Sequence, residues 1–160
     1  MTRESPHRSN DPSKVLPDLL DLFKVAGVRR WALIGGAAIA SYVPERRVND
    51  LDVVVASLDE VRKIRQVIED LQKKERSPFT ITPFTYPVLH HAYGHVDILT
   101  ADSDVFWAQG LRERGAAELF GRKVHVASKD SLIAMKKDAM SDPTQRSKAM
   151  RDIALLLRSD

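Results

Sequence analysis

Apolar residues recur along this chain in alternating helical and strand patterns. Val15, Leu16, Leu19, Leu20 and Phe23 fall at helical spacing, and Gly27 follows as a C-terminal stop. Pro17 then sits in the first turn, where a missing N–H does little harm. Arg30 to Ile34 is short and apolar and ends in Gly35-Gly36, which predicts a buried strand running into a tight turn. A short helix from Ala37 to Val43 is closed by Pro44. Leu51 to Val55 is a β-branched run and the clearest strand. Ser57 with Glu60 three residues on reads as a capping box. The helix it opens carries Val61, Ile64, Val67, Ile68 and Leu71 on one face. Phe79 to Tyr86, interrupted by Pro83, predicts an edge strand. Two more strands are expected at Val88-Leu89 and His95 to Leu99, joined through Ala92-Tyr93-Gly94. A helix over Asp104 to Leu111, a turn at Glu118 to Gly121 and a strand at Lys123 to Val126 follow. Ser128 caps a helix to about Met140, and a last helix runs from Thr144 to Arg158. The expected fold class is α/β (α+β): one mixed sheet flanked by helices, with two C-terminal helices.

A chain of 160 residues is about one domain long. We expect Met1 to Pro12, which is polar, to be a disordered tail, and residues 13–160 to form a single domain. The absence of cysteine excludes disulfides, thiolate metal sites and a cysteine nucleophile. It also fits a reducing compartment, so the expected location is cytoplasmic. No apolar run reaches the ~20 residues that span a bilayer, so no membrane partner is expected. The net charge of +3 leans slightly toward an anionic partner.

Three carboxylates change this picture. Asp50 and Asp52 stand two apart at the start of a predicted strand, which points both to one face, about 6–7 Å apart. Asp97 lies among apolar neighbours in another strand. Carboxylates are poor strand formers and costly to bury, so three that converge need a counter-charge. Mg²⁺ suits them, being a hard ion that takes oxygen ligands from one or two carboxylates plus phosphate. Upstream, Gly35 and Gly36 follow a strand and open a helix, where backbone N–H groups and the helix terminus favour phosphate.

The stretch Leu33-Ile34-Gly35-Gly36, then Asp50-Leu51-Asp52-Val53-Val54, then Val96-Asp97-Ile98 resembles the DNA polymerase β-type nucleotidyltransferase superfamily. The spacer from Ala37 to Asn49 is 13 residues. Arg46 and Arg47 before the Asp-x-Asp resemble small bacterial members. Ser128 to Lys136 looks like the lysine-bearing helix of toxin and abortive-infection nucleotidyltransferases. Lys148-Ala149-Met150-Arg151-Asp152-Ile153 is similar to that group's Lys-Asp-x-x-Asp ending, with Ala149 where an aspartate is usual.

The resemblance implies a metal-dependent transfer of a nucleoside monophosphate from an NTP substrate to an acceptor. Asp50, Asp52 and Asp97 would be the catalytic and metal-binding residues, holding two Mg²⁺ ions, with Mn²⁺ as the alternative. Gly35, Gly36, Arg46, Arg47 and Lys136 would contact nucleotide and phosphate. The leading acceptors are RNA or protein in a toxin–antitoxin or stress system, with an antitoxin as a further partner and a homodimer as one assembly. Two alternatives are an antibiotic nucleotidyltransferase of aminoglycoside or lincosamide type and a non-catalytic nucleotide-binding module. His90, His91 and His95 lack helical i,i+4 spacing and are read as structural or surface residues. Asp102 and Asp104 are read as helix-capping residues.

Overall fold

The computed structural model describes residues 10–159. The chain opens with α1 (Pro12–Ala26), β1 (Trp31–Ile34), α2 (Gly35–Tyr42) and β2 (Leu51–Val55). It continues through α3 (Leu58–Lys73), β3 (Phe79–Ile81), β4 (Val88–His91), β5 (Gly94–Thr100) and α4 (Val105–Arg112). The last elements are β6 (Gly115–Leu119), β7 (Arg122–Val126), α5 (Lys129–Ala139) and α6 (Arg146–Arg158). The strands form one mixed sheet in the order β3-β4-β5-β2-β1-β7-β6.

The centre of the sheet sets where Asp52 and Asp97 stand. β1 and β2 pair antiparallel, with Ile34 opposite Asp52. β2 and β5 pair parallel, with Asp52 opposite Asp97. β7 lies parallel to β1 on its other side. All four residues of β1 are buried, so both faces of this strand are covered. In β5 burial alternates: Val96, Ile98 and Thr100 are buried while Asp97 and Leu99 are partly exposed. Leu16, Leu19 and Phe23 of α1 and Val61, Ile64 and Ile68 of α3 complete the core, and these two helices pack on one another. Elsewhere α5 packs against α2, α4 and α6.

Helix ends follow their local chemistry. Gly27 takes a left-handed conformation at φ 73° and stops α1. Asp104 accepts hydrogen bonds from the N–H groups of Phe106 and Trp107, which is the capping role expected of it. Ser128 accepts from the Ser131 N–H and starts α5. Ser57 precedes α3, but its side chain makes no cap bond, and Glu60 pairs with Lys63 instead of reaching back. The capping box read from the sequence is therefore not formed.

Two further expectations need correction. The strand β6 occupies part of a stretch expected to hold only a turn. Gly115, Ala116 and Ala117 carry little strand signal, and pairing with β7 imposes the conformation. Asp11 and Pro12, expected to belong to a tail, are ordered. The Asp11 N–H donates to the Tyr93 carbonyl, Asp11 caps α1, and Pro12 is already helical. Residues 1–9 lie outside the described residues.

Capping gives a direct test of these helix starts. Ser128→Ala should lower stability by about 1 kcal/mol, as loss of a bonded N-cap does. Ser57→Ala should change it by only a few tenths. Urea unfolding of the two variants measures the difference, and equal losses would contradict the assignment.

Candidate active site

Asp52 and Asp97 stand side by side because β2 and β5 run parallel in that register. Asp52 is half-buried, and three influences push its carboxyl up to about 7. Burial is the largest, a hydrogen bond shared with Asp97 comes next, and the charges of Asp97 and Asp50 add to both. Lys136 pulls the other way, so its ammonium lies close enough for its charge to act on Asp52.

Gly35 sits directly against this pair. Its φ is +64°, which favours glycine. A Cβ there would come within 2.6 Å of the Asp52 Oδ2, closer than any side chain tolerates. Backbone strain and lack of space thus demand the same residue. No side chain caps α2, so its first-turn N–H groups face the site without a side-chain acceptor. A Cβ on Gly36 would lie 3.3 Å from an Arg46 Nη. That contact puts the guanidinium over the start of the helix.

Asp50 lies just before β2, its Oδ2 is 3.6 Å from the His95 Nε2, and its charge reaches Asp52. Among the described residues no group of three or more acidic or histidine side chains closes on a single ion-binding point. The Asp52–Asp97 pair is thus the centre, with Asp50 and His95 at its rim. This pair fits Mg²⁺. It offers two adjacent carboxylates short of positive charge, and Mg²⁺ takes one or two such groups and completes its shell with phosphate and water.

No protein-family model matches the chain, and no curated protein does. Solved structures do. A nucleotidyltransferase-like antigenic protein from Paracoccidioides brasiliensis superimposes with a TM-score of 0.61 at 21% identity, over 93% of this chain and 77% of that one. ANT(2'')-Ia, solved with adenylyl-2''-tobramycin, gives 0.63 at 15% identity, over 91% and 87%. The lincosamide antibiotic adenylyltransferase LnuA, solved with lincomycin, gives 0.61 at 18% identity, over 95% and 99%. The chain has the nucleotidyltransferase fold. At these identities the likeness is one of fold. It bears out the architecture that the Gly-Gly and Asp-x-Asp motifs suggested.

On this nucleotidyltransferase fold the other expected residues separate into two groups. Arg46 and Lys136 come together although 90 positions apart in number, because both bind Asp152 of α6. Arg46 Nε donates to Asp152 Oδ1 at 2.8 Å, and Lys136 Nζ lies 3.1 Å from Oδ2. Asp152 is only 2% exposed. Burial alone would raise its carboxyl, but the hydrogen bonds and charges of Arg46 and Lys136 outweigh it and hold it below the usual range. Arg47 lends only its backbone carbonyl, which accepts from Arg46, and its side chain is exposed.

Sequence reasoning did not select Asp152 as a site residue. Its signal was present: an aspartate followed by Ile153 at helical spacing from Ala149 and Leu156 falls on the buried face. A buried carboxylate calls for cations, and the chain supplies two.

These charges make two predictions about the metal-free protein. A raised carboxyl contributes stability below its unfolded value near 4, and that stability is lost as pH rises through about 7. Asp97→Asn should therefore stabilise the protein in EDTA at pH 8 by about 1 kcal/mol, or a few degrees in Tm. The gain should fade as pH falls toward 4. Melting below the wild type at pH 8 would show that the two carboxylates do not repel. Asp152→Ala should act in the opposite sense. It leaves Arg46 and Lys136, with side chains 13% and 19% exposed, without their shared acceptor. Loss of about 3 kcal/mol is expected in urea unfolding, and a neutral result would contradict the pairing.

Proposed function

We propose that this chain moves a nucleoside monophosphate from an NTP onto a hydroxyl of an RNA or protein acceptor. The observation that carries this reading is the Asp52–Asp97 pair set against Gly35 at the uncapped start of α2. Backbone N–H groups of Gly35 and Gly36 would take the terminal phosphates, and Arg46 and Lys136 would supply point charges to the same triphosphate. Asp52 and Asp97 would hold Mg²⁺, with Asp50 as a further ligand at the rim. When bound, the ion neutralises the triphosphate against the carboxylates.

The acceptor oxygen attacks the α-phosphorus. A new P–O bond forms as the bond to the β-phosphate bridging oxygen breaks, and pyrophosphate leaves. The acceptor's proton passes to the Asp97 carboxylate, directly or through water, and then to solvent. Asp152 is not a reacting group. It fixes Arg46 and Lys136 so that both reach the nucleotide from one side.

The resemblance to toxin nucleotidyltransferases supports a macromolecular acceptor in a toxin–antitoxin or stress role. A second reading is transfer to a small drug hydroxyl. Its support is the match to LnuA over nearly the full length of both chains.

Incubation with each α-³²P-labelled NTP and Mg²⁺, with RNA, with protein extract and with a drug panel, separates these readings. Label is expected in a macromolecule, and label confined to drugs would sink the leading reading. Asp52→Asn should abolish transfer with the fold intact. Lys136→Ala should raise the NTP requirement more than it lowers the maximal rate. NTP with Mg²⁺ should raise Tm, and NTP with EDTA far less, because unscreened carboxylates repel a triphosphate. Wild-type transfer by Asp52→Asn would overturn the assignment.

A further inference from the structure

The side of α6 that faces the segment between α2 and β2 carries a line of positive charge. Lys148, Arg151, Leu155 and Arg158 fall at i, i+3, i+7 and i+10, within one stripe of the helix. At 1.5 Å per residue the stripe is about 15 Å long. It forms one wall of a groove. A cavity of about 460 Å³ lies between Arg46 and Arg47 on one side and Lys148 and Arg151 on the other. A second cavity of about 230 Å³ continues past Leu155 to Arg158. Glu45 and Leu155 line both, so the two are consecutive parts of one groove.

The charge in this groove is unbalanced. Among the described residues no acid pairs with the side chains of Arg47, Lys148, Arg151 or Arg158. Asp152 is buried and taken up by Arg46 and Lys136. Glu45 is the one acid left in the lining. Three free cations along α6, with Arg47 across from them, attract a ligand whose negative charges are spaced along a line. The walls offer no free aromatic face for bases, since the Tyr42 hydroxyl donates to the Ala127 carbonyl and Lys129 covers its ring. A backbone, not a base sequence, is what such a groove would track.

The groove also leads to the active site. Arg46 forms part of its wall and lies over Gly36, and it shares Asp152 with Lys136. We propose that this groove binds the phosphodiester backbone of a single-stranded nucleic acid and delivers its end to the Asp52–Asp97 pair. What happens at that end rests on the nucleotidyltransferase reading; the binding itself does not. The reading selects RNA over protein as the acceptor.

The test is fluorescence anisotropy with labelled RNA and DNA strands of about 12 nucleotides, without NTP or metal. Between about 50 and 200 mM salt, four engaged cations give a slope of log K against log salt near −3, at roughly −0.7 per phosphate contact. Replacing Lys148, Arg151 and Arg158 together by Ala should bring the slope to about −1 and weaken binding at least about tenfold. All three are exposed helix positions, so an unchanged Tm shows that the variant folds. Lys73→Ala with Lys74→Ala, at the exposed end of α3, should change neither quantity. Tighter binding of RNA than DNA, or equal binding of both, supports the shared backbone chemistry. A wild-type slope in the triple variant would overturn the proposal, as would competition by polyglutamate as effective, per charge, as RNA. Stabilisation by NTP and Mg²⁺, measured on the same triple variant, should persist. Its absence in the wild type would defeat the nucleotidyltransferase reading and leave the strand-binding result standing.

Discussion

Asp52 and Asp97 are held next to each other by the parallel register of β2 and β5, half-buried and short of positive charge. Hydrogen bonding within the sheet fixes the backbone positions from which both side chains start. The repulsion is therefore built into the centre of the fold. It is tolerable because one carboxyl keeps its proton up to about 7. Strain of this kind is common where function requires it. The neighbouring residues are constrained in turn: only a glycine fits at Gly35 against Asp52.

The rest of the site is an answer to charge. Asp152 is the reverse case of Asp52, a carboxylate buried more deeply yet fully compensated by Arg46 and Lys136. Through it α6 is tied to the loop before β2 and to α5. Those ties bring one cation over Gly36 and another within reach of Asp52. The same pairing takes up the charge of Asp152 and leaves the basic stripe along α6 uncompensated. One buried ion cluster thus shapes both the charge beside the Asp52–Asp97 pair and the charge of the surface next to it.

Much of this was legible in the sequence because it is carried by strong local signals. The β-branched run at Leu51 to Val55, the Gly-Gly turn and the Asp-x-Asp motif led to the central strands and to the pair. Long-range pairing was not legible. Nothing local in Gly115 to Leu119 marks a strand, since β7 imposes it. The approach of Asp50 to His95 likewise depends on the parallel pairing of β2 with β5, which no local signal announces. The Ser57–Glu60 pattern did not yield a capping box because Glu60 finds Lys63. Asp152 shows the same limit. Its helix face could be read, but its two partners lie on other elements.

The central claim is that Asp52 and Asp97 form a site completed by a divalent ion and a nucleotide. Titration of the protein with Mn²⁺, followed by electron paramagnetic resonance with and without NTP, tests it most directly. The account predicts weak Mn²⁺ binding alone, tight binding with NTP, and loss of the NTP-dependent step in Asp52→Asn. Equal Mn²⁺ binding by wild type and Asp52→Asn in the presence of NTP would contradict it.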